Sequence, residues 1–396
     1  MFRDHFPFFD QVNNTVFLDN AASTQKTRGV LDAQILSDSV EHSNVHRGNY
    51  ALSRQNTDAF EMTRALTAQF INAQKDEIIF TSGTTFGINL VAYSFVLPSI
   101  NSDQNIVISI AEHHANLVIW QRITALSGCE LRYIELDDNG DYDLLQAQEL
   151  IDENTFLLSV AHVSNVLGQL QPIKALTTLA KQCGAFVLID GAQAVAHVDV
   201  DVEYLNVDFY AFSAHKMFGP TGLGILYGKS ELLNKMPPLI YGGEMVEKVT
   251  RNHTTLTKPP HRFEAGTAAI SAVIAFAHAI EFMNFHTLEN LQAANSKLTA
   301  YAFKQLDQIK NIKYISPKSS AGIITFNIKG LHHADIAMLL DEQNIALRAG
   351  TFCAQVLFEY LKESGALRIA ISPYNNQNDI DLFITALNKA IQILED

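Results

Sequence analysis

From about Asp76 to Tyr227, short runs rich in strand-forming residues alternate with helical patterns, and several of those runs are apolar from end to end. They are EIIFTS, NIVISI, LRYIEL, FLLSVAHVS, AFVLID, VDFYAFS and GILYG. A strand with one wet face alternates apolar and polar residues, whereas a strand covered on both faces does not. Between the runs lie helix candidates such as FGINLVAYSFVL and IKALTTLAKQCG, the second closing on Gly184 as a helix stop. This order predicts an α/β fold with a doubly wound, mostly parallel sheet. A chain of 396 residues exceeds one simple core, so a second unit is expected.

The rhythm breaks over 234–267, where four prolines and several glycines read as an irregular connection. Long helical patterns follow, then the short strands KYIS, GIITFNI, IALRAG and ALRIAIS and a final helix from about Gln377. The expected division is a large domain over 15–255 and a smaller α+β domain over 256–396, joined by the N-terminal segment 1–14. AAISAVIAFAHAI (268–280) is too short to span a bilayer and reads as a buried helix. The opening MFRDHFPFFDQVNN has acids and a proline inside its apolar stretch and does not read as a secretory leader. The net charge is 28 − 42 = −14, and no basic run interleaves with aromatics, which argues against a nucleic-acid partner. Cys129, Cys183 and Cys353 form no CxxC pair, which argues against a disulfide framework or a structural zinc site. A cytoplasmic protein without a membrane partner is the expectation.

Ligands of open α/β sheets bind beyond the carboxyl ends of the strands. After EIIF comes TSGTTFGINL, where Gly83, Thr84 and Thr85 precede a helix and suit a phosphate without any lysine. The plainer reading is an N-cap, with Thr85 satisfying one orphan amide. Two nucleotide loops fail on spacing: GLGILYG has tyrosine at the third glycine of G-x-G-x-x-G, and GILYGKS has three residues where a Walker A loop needs four. Asp190 ends AFVLID and is followed by Gly191 and Gln193; a carboxylate there is costly to bury without a cation. Ser213, His215 and Lys216 follow VDFYAF, and His113 and His114 follow VISI.

Pyridoxal 5′-phosphate needs a phosphate cradle, an amine for a Schiff base, a carboxylate for its ring nitrogen and a flat group to stack on the ring. Thr84 with Thr85, Lys216, Asp190 and His113 fill those roles at four strand ends. Singly, each has a plain reading as surface lysine, strand-end cap or core histidine. No metal is expected. HSNVH (42–46) has i, i+4 histidines but lacks the glutamate of H-E-x-x-H, and the adjacent pairs His113–His114 and His332–His333 are expected to diverge.

In unbroken order, FLDNAAST, NVHRGNYALS, FTSGTT, AEHHANLVIW, SNVLG, DGAQAV, DFYAFSAHKMFGPTGLGILYGKSELL, RFEAGT and LRAGTFCAQ resemble the cysteine desulfurases of the SufS/CsdA group. These are class V aminotransferases of the fold-type-I pyridoxal phosphate architecture, and IALRAG with CAQ resembles the CsdA branch. The resemblance implies that Lys216 forms the Schiff base, Asp190 holds the pyridine nitrogen and Gln193 meets the phenolic oxygen. His113 stacks on the ring and handles protons, and Thr84, Thr85, Ser213 and His215 bind phosphate. Thr267 would complete the phosphate site of a second subunit, implying a homodimer. Asn165 would contact cofactor and substrate; Arg348 and Arg368 would serve the substrate, Arg368 by a bidentate fork on its carboxylate. Cys353 would accept sulfur from L-cysteine as a persulfide, leaving alanine, for iron–sulfur or thio-cofactor assembly. Selenocysteine lyase activity can accompany that reaction, and a SufE/CsdE-type acceptor protein is the implied partner. The alternative is another class V pyridoxal phosphate enzyme, a transaminase or a β-eliminating lyase. Four departures stand out: Phe352 where histidine is usual, Phe86 where glutamate is usual, Ala268 where proline is usual, and YGG at 241–243. The resemblance places all four near the mouth of the site or the dimer contact.

Overall fold

The computed structural model describes residues 2–11 and 15–396. The apolar runs form one seven-stranded sheet: β1 (Ile78–Thr81), β2 (Asn105–Ser109), β3 (Glu130–Ile134), β4 (Thr155–Ala161), β5 (Phe186–Asp190), β6 (Phe209–Ser213) and β7 (Gly224–Gly228). Its order is β1-β7-β6-β5-β4-β2-β3, and every pairing is parallel except those of β7, which runs against both neighbours. Successive residues of the inner strands face two different apolar clusters: Val187 and Ile189 join one, Leu188 the other. Both faces are covered, which is why these strands read as continuous apolar runs. β3 lies at an edge and is half exposed over most of its length.

Helices α1 (Arg28–Ser39), α2 (Ala51–Phe70), α3 (Thr84–Val91) and α4 (Ile270–His286) lie around the sheet. α4 is the buried helix expected at 268–280; Val273, Phe276, Ile280 and Met283 join the larger cluster, and the helix packs on α1 and α2. The C-terminal part carries an antiparallel sheet of β8 (Ile312–Tyr314), β9 (Ile323–Ile328), β10 (Arg348–Gly350) and β11 (Ala366–Ala370), in the order β8-β9-β11-β10. Its own core includes Phe326, Ile369, Phe383 and Leu387.

Three expectations change. The run IALRAG splits at Leu347: Ile345–Ala346 pairs in parallel with Val16–Phe17, and only Arg348–Gly350 joins β11. The connection over 234–267 holds a hairpin, Val246–Val249 against Thr254–Leu256, whose exposed residues leave no apolar period to read. His332 and His333 do not diverge; their rings stack at 4.3 Å. We propose the two-part division with moved edges, Val16–Phe17 going with the C-terminal part by pairing and α4 with the large sheet by packing.

The register aligns the carboxyl ends of the central strands, Ala161 lying opposite Asp190 and Asp190 opposite Ala211. Beside them β7 passes very close to the turn ahead of α3. A Cβ on Gly224 would lie 2.3 Å from the Cα of Gly83, so only glycine fits. That approach brings Thr84 onto Ser213, whose Oγ accepts the Thr84 amide at 2.8 Å. Gly224→Ala is therefore expected to cost about 1–3 kcal/mol of stability by overpacking. A lowered thermal midpoint is the outcome to look for.

Candidate active site

A cavity of about 220 Å³ opens at the carboxyl ends of the central strands, walled on its far side by residues between Arg348 and Arg368. All the candidate residues named from the sequence line it except Thr267, which is exposed on the surface outside it.

Lys216 ends a 3₁₀ turn, Ala214–Lys216, that follows β6 directly. The N-terminal segment braces this turn. Thr24 donates to the His215 carbonyl from its backbone N–H (2.9 Å) and its hydroxyl (3.0 Å), and the Thr24 hydroxyl oxygen accepts the Phe218 N–H (2.8 Å). Burial holds the Lys216 amine down to about 8, against the opposing pull of Asp190. Asp190, buried at the end of β5, accepts the Ala192 N–H at 2.9 Å. Burial raises its carboxyl above the usual range, with the Lys216 charge working the other way. Desolvation outweighs the attraction at both groups.

At the head of α3 the helix begins at Thr84, with Gly83 as N-cap and no side-chain cap. The N-cap role foreseen for Thr85 is thus not taken up; Thr85 is exposed within the first turn. The Thr84 hydroxyl instead pairs with Ser213 Oγ at 2.6 Å. These hydroxyls, His215 and the first-turn amides form a cradle without a fixed cation, suited to a phosphate. Burial keeps His215 down to about 4, helped by Lys216 and Lys26, so at neutral pH it is an uncharged ring.

His113 caps the short turn His114–Asn116, its Nδ1 accepting the Ala115 N–H at 3.1 Å. That bond puts the ring proton on Nε2. Burial, then the Lys216 charge, lowers its pKa to about 3, which leaves a neutral, flat ring on the cavity wall. Gln193 gives one amide N–H to the Ala21 carbonyl at 2.7 Å.

Cys353 sits where the two parts of the chain meet. Phe352 and Cys353 both adopt left-handed backbone, φ 51° and 57°, which is uncommon for such residues. Two hydrogen bonds hold them: Asn165 Nδ2 donates to the Phe352 carbonyl (2.8 Å), and the His114 N–H to the Cys353 carbonyl (2.7 Å). Arg368, buried, donates to the Asn165 carbonyl (2.9 Å) and to Asp19 (3.2 Å), and its guanidinium lies 4.8 Å over the Phe352 ring. Its Nε is buried with no partner among the described residues. Burial brings the guanidinium down to about 10, against Asp19. Of the departures, Phe352 reaches the cavity, whereas Phe86 packs against the apolar cluster on one face of the sheet.

Sequence reasoning missed two acids. Asp19 positions Arg368 and stands 3.9 Å from Arg348; its signal was an acid at the end of the apolar VFL. Glu112, fully buried next to His113, accepts from Ser109 (2.6 Å), Asn116 (2.7 Å), Tyr142 (3.1 Å) and the Ala161 N–H (3.1 Å). Burial lifts it to about 7 despite these donors. Ser109 and Asn116 lie within four residues of it, but Tyr142 and Ala161 come from elsewhere in the chain, and that half of the network left no local pattern.

The model for the aminotransferase class-V family matches residues 16–383. A probable cysteine desulfurase of Synechocystis sp. is 39% identical over 402 residues, covering 100% of this chain and 96% of the relative. A cysteine desulfurase of Wigglesworthia glossinidia brevipalpis is 41% identical over 398 residues, covering 99% and 97%. Among solved structures, the cysteine desulfurase CsdA of Escherichia coli superposes with a TM-score of 0.93 at 35% identity, over 99% of this chain and 98% of that one. Fold, strand-end geometry and these matches agree, and the chain belongs to the class-V aminotransferase family.

Proposed function

We propose that the chain is a pyridoxal 5′-phosphate-dependent cysteine desulfurase that takes sulfur from L-cysteine, leaves L-alanine and carries the sulfur as a persulfide on Cys353. The observation that carries this reading is a single cavity in which Lys216 and Asp190 meet a thiol and a buried guanidinium with an unused N–H. Relatives over the full length of the chain carry the name cysteine desulfurase, which supports it.

The residues present fit the cofactor. The Thr84–Ser213 cradle would take the phosphate, Lys216 would supply the amine, Asp190 would hold the ring nitrogen and His113 would stack on the ring. When bound, pyridoxal phosphate acts as an electron sink that lets the α-proton of an amino acid leave and weakens its Cβ–S bond. Lys216, held to about 8, is the base for that proton, since a base poised near ambient pH transfers most effectively. Arg368, fixed by Asp19 and Asn165, holds the substrate carboxylate, with Arg348 beside it. Cys353 as thiolate attacks the substrate sulfur: an S–S bond forms, the Cβ–S bond breaks, and the carbon keeps the electron pair and takes a proton, giving alanine.

Thr267, outside the cavity, supports a homodimer in which it completes the partner's phosphate site. The two tethered carbonyls at Phe352 and Cys353 favour collection of the sulfur in place by a SufE/CsdE-type acceptor. Selenocysteine lyase activity and supply of iron–sulfur assembly belong to the same reading. The three free thiols suit the cytoplasm, and among the described residues no helix is long and apolar enough to cross a membrane.

Purified protein is expected to be yellow, and Lys216→Ala to abolish the lysine-bound visible band. With L-cysteine and a thiol reductant to release the persulfide sulfur, alanine and sulfide should form in equal amounts, and Cys353→Ser should cut alanine formation at least about 100-fold while keeping the band. Keto acid in place of alanine would identify a transaminase, and sulfide release persisting in Cys353→Ser a β-eliminating lyase.

The amine also predicts a pH profile. Below its pKa Lys216 is protonated and unreactive, so cofactor capture by the apo-protein should rise about tenfold per pH unit and level off. The break is expected near 8 rather than at the ordinary 10.5. Asp190 is the charge that raises this value, so Asp190→Asn should move the break to lower pH. A break unmoved or moved upward would count against the assigned pairing.

A further inference from the structure

On the face that carries Thr267 lies a second group of chemistry-bearing side chains, remote in sequence from one another. His46 follows α1 on an exposed loop, Glu61 projects from α2, and His261 opens a short 3₁₀ turn, His261–Phe263. One ligand atom of each lies within 4.8 Å of the other two. His46 Nε2 stands 3.2 Å from Glu61 Oε1, and the His46 and His261 rings lie 4.9 Å apart. We propose that His46, Glu61 and His261 form a binding site for one zinc ion.

Two imidazoles and a carboxylate are a zinc donor set, and a three-ligand site keeps a fourth position open. Zinc takes such ligands at about 2.0–2.2 Å. Three ligand atoms grouped within 4.8 Å of one another can reach a single ion by side-chain rotation. The surroundings fix the ligands as outer partners of a metal do. Arg64, fully buried, grips Glu264 through both terminal nitrogens (2.7 and 2.8 Å) and reaches Glu61 at 3.2 Å. Glu264 in turn lies 3.9 Å from His261 Nδ1. Lys75, which pairs with the other Glu61 oxygen at 2.9 Å, is half exposed and can withdraw to water. His46 itself is held in left-handed backbone, φ 67°, its N–H bonded to the Thr57 hydroxyl at 2.8 Å. A non-glycine residue persists there only where its surroundings insist on it.

A cavity of about 220 Å³ opens beside His46 and His261, lined also by Glu244, Glu264 and Ala268, and gives the fourth position room for water. An ion here ties together the loop around His46, helix α2 and the stretch that ends in Thr267. Nothing local marks the site in the sequence: HSNVH lacks the glutamate of H-E-x-x-H, and the fold brings Glu61 and His261 in from elsewhere.

The test titrates zinc into the Cys353→Ser holoenzyme, which lacks the one thiol in the first cavity, and follows heat release and thermal midpoint. Cobalt(II), by its visible d–d absorption, reports the coordination geometry of the same site. About one equivalent per chain should bind, with a raised midpoint, and His46→Gln and His261→Gln should each weaken binding at least about tenfold. His46 is exposed, so His46→Gln alone decides the matter should His261→Gln fail to fold. Absence of saturable uptake overturns the site. So does uptake unchanged in the histidine variants, or uptake by the wild type that vanishes in Cys353→Ser.

Discussion

The structure turns on a charge held where charge is expensive. Asp190 ends a strand whose other residues are covered on both faces, and Lys216 ends the turn after the neighbouring strand. The same desolvation raises the carboxyl and lowers the amine, so each is drawn toward neutrality by its surroundings and toward charge by the other. The doubly wound sheet creates this tension by aligning strand ends at one edge and excluding water from both faces. Everything else at the site follows as support: the brace from Thr24, the cradle at α3 and the neutral rings of His113 and His215.

Much of this was legible beforehand. The strands announced themselves because burial on both faces removes the need for alternation, and chemistry-bearing residues immediately followed them. Strand-end position is a strong signal because the fold fixes where such residues must go. The short strand in IALRAG was legible as a strand but not as two, since nothing local tells which neighbour each half will find.

What stayed hidden depends on contacts between distant segments. Glu112 joins two neighbours in sequence, Ser109 and Asn116, to donors from Tyr142 and Ala161, and Asp19 holds an arginine from the far end of the molecule. The paired left-handed residues at Phe352 and Cys353 carry no glycine to warn of them. Each such residue costs about 1–3 kcal/mol, and only partners such as Asn165 and His114, supplied by the large sheet's loops, keep it in place. Phe352 stood out as a departure from the family pattern, and the fold gives it a second task, covering the face of Arg368.

Those tethers bear on who can receive the sulfur. A thiol on a long mobile arm would carry its cargo outward to any reductant or carrier in solution. Here the arm is fastened at two carbonyls and its sulfur stays on the wall of a small cavity. On the proposed chemistry the recipient must come to the sulfur, so an acceptor protein has to present its thiol on a segment that reaches into the cavity.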